Sequence, residues 1–230
     1  MSVAENVELI REKIAAACRR AGRSESEVAL MAVSKMHPAS AIVEAHAAGL
    51  RLFGENRVQE WQEKSLGLAQ LDDIEMHLIG PLQSNKTARA AELFHAIDSV
   101  DSLKIATRLD AAARSMKKRL PILIEVKLSH EESKHGVAPV DLPTRLDQSG
   151  TLGSLIPSGL MTVPPWSEDV ERARPYFREL RRLRDASLLT CPTLRQLSMG
   201  MSNDFSVAIE EGSTYVRIGT ALFGRRSAAP

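Results

Sequence analysis

The chain has 230 residues, and its 30 Lys and Arg side chains nearly balance its 29 Asp and Glu side chains, leaving a net charge of +1. That balance provides no overall field to attract nucleic acid or an anionic membrane surface. No apolar run approaches the ~20 residues that span a bilayer, and we expect no signal peptide at the N-terminus. The two cysteines, Cys18 and Cys191, lack the spacing of a metal site, and lone thiols favour a reducing cytoplasm.

Short apolar runs alternate with helical patterns after an amphipathic helix predicted over residues 3–21. The apolar runs predict strands over residues 28–35, 50–55, 76–80, 94–100, 121–129, 158–163, 194–200 and 214–220. Helical spacing predicts helices over residues 38–49, 56–66, 84–92, 101–118, 139–148, 167–187 and 204–211.

Strand and helix alternate about eight times, which is typical of a parallel sheet with helical crossovers. We therefore expect an α/β fold, a (β/α)8 TIM barrel preceded by an N-terminal helix, as one domain over residues 1–230. An open doubly wound sheet is the alternative. A dinucleotide-binding sheet of that kind would carry G-x-G-x-x-G after its first strand, where this chain has SKMHPAS.

The loops after the seventh and eighth predicted strands have the composition of a phosphate site. Ser202 stands where a helix N-cap belongs, and Gly200 lets the backbone bend close to a ligand. Gly219 and Thr220 can open a further short helix, whose exposed N–H groups favour an anion. Each motif alone is better explained by a helix cap or a tight turn. Together, on adjacent strands of a barrel, they favour phosphate.

Lys35 follows the first predicted strand, in the stretch LMAVSKMHP. Met31, Val33 and Lys35 share one face of that strand, because side chains alternate with a period of two. If Val33 faces the barrel interior, Lys35 lies at its top, where partial desolvation frees the amine lone pair to attack a carbonyl. A lysine that extends from the rim into solvent is the other interpretation, and this stretch alone favours it.

The same alternation turns Arg217 toward the interior from the eighth predicted strand. Tyr215, Arg217 and Gly219 share one face, while the aliphatic Val216 and Ile218 suit the helix side. An interior arginine needs a partner, either a buried carboxylate or, below a phosphate, a ring nitrogen or other acceptor of the ligand. A reactive lysine, a phosphate site and an interior arginine together suit pyridoxal 5′-phosphate (PLP), which carries an aldehyde, a phosphate and a pyridine ring.

Several longer segments are more specific than any single residue, and they extend from residue 28 to residue 226. They are AVSKMHPASAIVEAHAAG, FGENRVQE, HLIGPLQSNK, IDSVDSLKIA, ESKHG, GLMTV and LSMGMSNDFSVAIEEGSTYVRIGTALFG. The order of AVSK, LSMGMS-x-D and VRIGT-x-x-FG is highly specific. On these segments the chain resembles the pyridoxal phosphate homeostasis protein family, single-domain PLP-binding proteins related to the barrel domain of alanine racemase.

The resemblance implies a barrel in which Lys35 forms a Schiff base with PLP and Arg217 faces the pyridine nitrogen. It also implies that Ser202, Gly219 and Thr220 hold the phosphate. The remaining positions expected to contact the cofactor are Asn56, His77, Ser198 and Gly200.

The resemblance also implies a carrier or reservoir that keeps PLP available in the cell, without established turnover. An arginine at the pyridine nitrogen leaves that nitrogen unprotonated, so the ring is a weak electron sink. Racemases of the related fold add a second base, often a tyrosine from another domain. Neither Tyr176 nor Tyr215 is expected at the rim, and the chain ends at Pro230, a few residues past the predicted barrel.

Two enzymatic alternatives stay open, a PLP-dependent racemase-like enzyme and a class I aldolase barrel whose lysine binds the substrate directly. Expected partners are PLP and PLP-dependent acceptor enzymes, and the chain is expected to be a monomer or weak dimer, since heptads and large apolar faces are absent. One position departs from the resemblance: Lys127 stands where related proteins commonly carry Asn, which leaves the role of that position open.

Overall fold

A computed structural model of the protein describes residues 1–129 and 135–224. The strands are β1 (Ala29–Val33), β2 (Leu52–Glu55), β3 (Glu75–Leu78), β4 (Ala96–Val100), β5 (Leu120–Glu125), β6 (Leu155–Met161), β7 (Gln196–Met201) and β8 (Tyr215–Ile218). The α-helices are α1 (Val3–Ala21), α2 (Ala39–Ala47), α3 (Val58–Ser65), α4 (Thr87–Leu93), α5 (Leu103–Ser115), α6 (Leu142–Gly150), α7 (Arg174–Ser187), α8 (Phe205–Glu210) and α9 (Thr220–Phe223). Short 3-10 helices occupy Glu25–Glu27, Pro139–Asp141 and Val170–Ala173.

The eight strands form a closed parallel barrel in sequence order, with β8 pairing back onto β1. This is the (β/α)8 barrel that the alternation of strand and helix predicted, and α1 precedes it as expected. α1 begins with a capping box between Ser2 and Glu5, ends at Gly22 with φ 65°, and packs against α2, α8 and α9. In the described part of the chain, no helix is long and apolar enough to cross a membrane.

Apolar side chains fill the layer between the barrel and its helices in two clusters. The larger cluster, which includes Phe53 and Ile97, lies under the helices on one side of the barrel. The second cluster, which includes Ile124 and Phe177, lies under α6, α7 and α8. The interior of the barrel is different, because titratable side chains such as His77 lie there. These two clusters stabilise the barrel from outside, while the interior contains polar groups together with apolar side chains such as Met31.

Five strands end earlier than the hydrophobic pattern predicted, and the ends of β1 and β5 bear most directly on the cavity. β1 ends at Val33, because the Ser34 carbonyl accepts a hydrogen bond from the His37 amide and closes a turn. Lys35 therefore lies in that turn, beyond the strand. β5 ends at Glu125, where the prediction continued to residue 129. Beyond Glu125 the backbone forms an isolated bridge between Val126 and Val137.

The close contact of β6 with β7 gives a first testable prediction. A Cβ atom at Gly159 would overlap the backbone carbonyl of Gln196 on β7. Relieving that overlap would require the β7 backbone to move, at the expense of its hydrogen bonds in the sheet. We expect Gly159→Ala to lower the free energy of unfolding by about 1–3 kcal/mol, measured by urea denaturation. Gly150→Ala is the matched control, because a Cβ atom there meets nothing within 4 Å. An equal effect of the two substitutions would contradict this account.

Candidate functional site

A cavity of about 580 Å³ opens at the carboxyl ends of the barrel strands. Barrels of this type carry their chemistry at that end, because the loops after the strands converge there. Six of the nine residues that the sequence nominated line the cavity: Lys35, Asn56, Ser202, Arg217, Gly219 and Thr220. The lining also contains Lys127, the position at which the sequence departs from its resemblance. The remaining three nominated residues, His77, Ser198 and Gly200, are not part of the lining.

Arg217 forms the buried floor of the cavity. Only 4% of the residue is exposed, and the guanidinium donates to the Ser198 hydroxyl and to the Thr162 carbonyl, each at 2.8 Å. Burial lowers the pKa of Arg217, while the carboxylates of Asp98 and Glu125 act in the opposite direction. An arginine under these conditions stays charged. Ser198 therefore acts on the cavity through Arg217, whose orientation it fixes.

The loops after β7 and β8 meet at the expected phosphate end. The Ser202 hydroxyl accepts a hydrogen bond from the Ala221 amide at 3.3 Å, which joins the two loops directly. The prediction that Ser202 caps α8 is wrong, because Asp204 occupies the N-cap position of that helix. The Asp204 carboxylate accepts from the Met201 amide at 2.6 Å and closes the loop. Ser202 is thereby left at the cavity, beside the start of α9.

Gly200 has a packing role that differs from the one expected. Its φ of 92° lies in the left-handed region, where glycine is favoured. A Cβ atom at this position would approach the Ala208 side chain to 2.5 Å and the Phe205 Cα atom to 2.9 Å. The absence of a side chain therefore lets α8 pack closely on β7. The sequence suggested that Gly200 lets the backbone approach a ligand. The structure shows that it lets the backbone approach α8.

His77 lies inside the barrel with a carboxylate at each ring nitrogen. Its Nδ1 is 3.0 Å from Asp98 Oδ1, and its Nε2 is 3.0 Å from Glu75 Oε1. Both nitrogens must therefore donate, which requires the protonated imidazolium. Burial opposes that charge, but Asp98 and Glu75 prevail and raise the pKa of His77 to about 10. The Tyr215 ring packs edge-on against the imidazole at 5.8 Å.

Several polar residues of this site were not nominated from the sequence. Glu125 and Asp204 line the cavity, and Asp98 lies in the interior beside His77. Glu125 was hidden because the predicted strand continued past it. Asp204 stands in the SMGMSND stretch, so its place beside Ser202 was a usable signal. Asp98 on β4 has no such signal, because its contact depends on the register between strands.

Comparisons with known proteins agree with the fold and identify the family. The family model for the alanine racemase N-terminal domain matches residues 6–227. The pyridoxal phosphate homeostasis protein of Pseudomonas aeruginosa is 46% identical over 226 residues, covering 98% of this chain and 96% of the relative. The protein of the same name from Aquifex aeolicus is 43% identical, with 98% and 99% covered.

Solved structures give the same result. PipY of Synechococcus elongatus with PLP bound superposes with a TM-score of 0.86 at 39% identity, covering 96% of this chain and 100% of PipY. An alanine racemase of Clostridium difficile shares only the fold, with a TM-score of 0.70 at 14% identity, covering 97% of this chain and 58% of the racemase. The chain belongs to the pyridoxal phosphate homeostasis protein family, a group built on the alanine racemase N-terminal domain.

The charge of His77 predicts a specific pH dependence of stability. A histidine whose pKa is raised on folding stabilises the fold fully below its unfolded value and loses that contribution as pH rises through the folded value. Between about pH 6.5 and pH 10, wild type should lose up to about 1.4 kcal/mol per pH unit relative to His77→Gln. Urea denaturation at several pH values measures the difference.

His95 provides the control for this experiment. Burial and the nearby Lys118 lower the pKa of His95, so its titration affects stability only at lower pH. The difference between wild type and His95→Gln should therefore stay constant across the alkaline range. A pH-independent difference for His77→Gln as well would mean that His77 is neutral in the folded protein.

Proposed function

We propose that this protein binds PLP through Lys35 and holds it as a carrier or reservoir for the cell's PLP-dependent enzymes. The observation that carries the proposal is the meeting of three groups on one cavity: the Lys35 amine, the Arg217 guanidinium and the joined loops of Ser202 and Thr220. Each suits one end of PLP. PLP-bound PipY, a relative of the same fold that covers 96% of this chain, supports the assignment.

The donor set of the cavity fits the chemistry of PLP. When bound, PLP supplies an aldehyde that bonds reversibly to a primary amine. Lys35 offers that amine from the turn after β1. The Ser202 and Thr220 hydroxyls, with the backbone at Gly219, offer donors to a phosphate at the ends of β7 and β8. Asn56 follows β2, the neighbour of β1, and lines the cavity wall, where it can contact the ring.

Arg217 supports a holding role over a catalytic one. Its guanidinium donates hydrogen bonds but does not release a proton, so a ring nitrogen that accepts a hydrogen bond from it stays unprotonated. The ring then withdraws electrons weakly, and bonds next to the amine nitrogen of a substrate are poorly activated. The Ser198 hydroxyl and the Thr162 carbonyl accept hydrogen bonds from the guanidinium, so contacts within the barrel fix its orientation.

The positions of the two tyrosines also support the carrier proposal. Tyr215 lies in the barrel interior beside His77, and burial raises its pKa to about 12, which keeps the phenol protonated. Tyr176 lies on α7, outside the cavity lining. Neither is therefore suited to exchange a proton with a substrate held at Lys35. We propose an intracellular carrier, consistent with a described chain in which no helix could span a membrane.

Substitution of the two lysines in the described lining tests which amine binds PLP. We expect purified wild type with added PLP to show a visible absorption band that borohydride removes by fixing the cofactor to the protein. Lys35→Ala should lose this band, because no amine remains in the turn after β1. Lys127→Ala should retain it, and peptide mapping of the reduced wild type should find the label on Lys35.

Each contrary outcome excludes one part of the proposal. Label on Lys127, with the band lost in Lys127→Ala, would show that PLP binds to Lys127, and the assignment to Lys35 would be wrong. Wild type that stays colourless with PLP would remove the PLP-binding function altogether. In that case the class I aldolase alternative, in which the lysine binds the substrate directly, would become the better interpretation.

The carrier and enzyme hypotheses are separated by amino-acid exchange. We expect holoprotein incubated with single-enantiomer amino acids to give no enzyme-like racemisation, because neither Tyr176 nor Tyr215 is placed to exchange a proton with a substrate at Lys35. Chiral chromatography measures the enantiomer ratio, and PLP free in solution is the control. Racemisation well above that control, and absent in Lys35→Ala, would establish the racemase-like alternative.

A further inference from the structure

The turn that carries Lys35, Ser34–His37, is held from outside the barrel by one group of charged side chains. This group, the clamp, consists of Glu55 at the end of β2 and of Glu60 and Lys64 on α3. None of the three lines the cavity. The clamp lies on the opposite side of the turn and contacts the residues on either side of Lys35.

Lys64 uses all three of its donors in the clamp. Its Nζ atom donates to Glu55 Oε1 and Glu60 Oε1, each at 2.7 Å, and to the Ser34 carbonyl at 2.9 Å. The Ser34 hydroxyl donates to Glu55 Oε1 at 2.7 Å. On the far side of Lys35, the Met36 amide donates to Glu60 Oε1. The backbone on both sides of Lys35 is therefore tied to the same three side chains.

The conformation of the turn requires such support. Met36 has a φ of 62°, in the left-handed region that residues other than glycine rarely adopt. It is the third residue of a turn closed between the Ser34 carbonyl and the His37 amide, a position at which positive φ normally requires Gly or Asn. Strained residues of this kind persist only where surrounding contacts determine their conformation, and they cluster at functional sites.

Burying the charges of the clamp costs desolvation free energy, which a role in packing alone would not require. The Glu55 side chain is fully buried and the Lys64 side chain is 11% exposed. Among the described residues Glu55 Oε2 has no hydrogen-bond partner, and burial raises the pKa of Glu55 although Lys64 and Ser34 oppose the shift. Buried ion pairs are often no more stabilising than apolar residues of the same volume, so their distinctive effect is to fix geometry.

We propose that the clamp of Glu55, Glu60 and Lys64 is a positioning device that fixes the turn Ser34–His37 and so directs the Lys35 amine into the cavity. This inference rests on the proposed function of Lys35. It assigns positioning roles to three residues that have no contact with the cavity. The clamp acts through the backbone, since its contacts are to the Ser34 carbonyl, the Ser34 hydroxyl and the Met36 amide.

Lys64→Met is the direct test, because it removes the ammonium group and keeps most of the side-chain volume. We expect it to weaken PLP binding by about tenfold or more, measured by titration of the visible band well below the unfolding temperature. Lys64→Arg, which keeps the charge and several donors, should restore part of the affinity. Arg174→Met is the matched control, because it breaks ion pairs with Glu171, Glu210 and Glu211 away from the cavity.

A second measurement does not depend on PLP. The Met36 amide should exchange with deuterium about tenfold faster in cofactor-free Lys64→Met than in wild type, because the turn is released. Glu60→Ala removes the acceptor of that amide on a half-buried helix position where alanine is favourable. It should give the same loss of protection and of PLP affinity with little loss of thermal stability, so a poorly folded Lys64→Met cannot decide the result.

The outcomes separate this inference from the proposed function. Wild type that fails to bind PLP would remove the proposed function while leaving the exchange measurement valid for the clamp. Wild type that binds PLP, together with unchanged affinity in folded Lys64→Met and in Glu60→Ala, would overturn the clamp. An equal loss of affinity in Arg174→Met would also overturn it, because the effect would then follow stability in general.

Discussion

The pairing of β8 with β1 is the constraint on which the cavity depends, because it closes the barrel. In that register Met31 lies opposite Arg217, so the two strands leave the sheet side by side. Lys35 and Thr220, near opposite ends of the chain, consequently face the same cavity. Parallel strands bring all their carboxyl ends to one rim, and closure makes the first and last of these ends neighbours. No local interaction could join these residues.

Burial of Arg217 depends on alternating charges inside the barrel. Glu75, His77 and Asp98 form a hydrogen-bonded chain of negative, positive and negative groups, and Asp98 also acts on Arg217. His77, Asp98 and Arg217 are buried, and each of these charges offsets part of the desolvation cost of the next, while Glu75 is exposed. His77 therefore contributes to the site at a distance: its positive charge balances Asp98, which in turn balances the arginine at the cavity floor.

The periodicity of the sequence was sufficient to predict the barrel, because buried parallel strands and their crossover helices leave strong local patterns. The period of two along β8 also predicted the inward direction of Arg217, and the residue is buried. The partners of Arg217, Ser198 and Thr162, could not be predicted from the sequence. Their contacts depend on the shear of the barrel and on a register shift between β7 and β8, which local patterns do not encode. The N-cap prediction for Ser202 was wrong by two residues, because the loop turns once more before α8.

The contacts around Lys35 show why a site residue cannot be understood from its own strand. Val33 ends β1, and the turn beyond it, closed by the Ser34–His37 hydrogen bond, has a strained Met36 whose amide is held by Glu60 on α3. Removing Lys64 alone would leave the buried Glu55 without its charged partner, a change that typically costs about 3–5 kcal/mol, whereas an apolar pair in place of both would be close to neutral. A charged clamp is thus a poor means of gaining stability. It is an effective means of fixing a backbone, because it joins a carbonyl, a hydroxyl and an amide of one turn to a single ammonium and its two carboxylates.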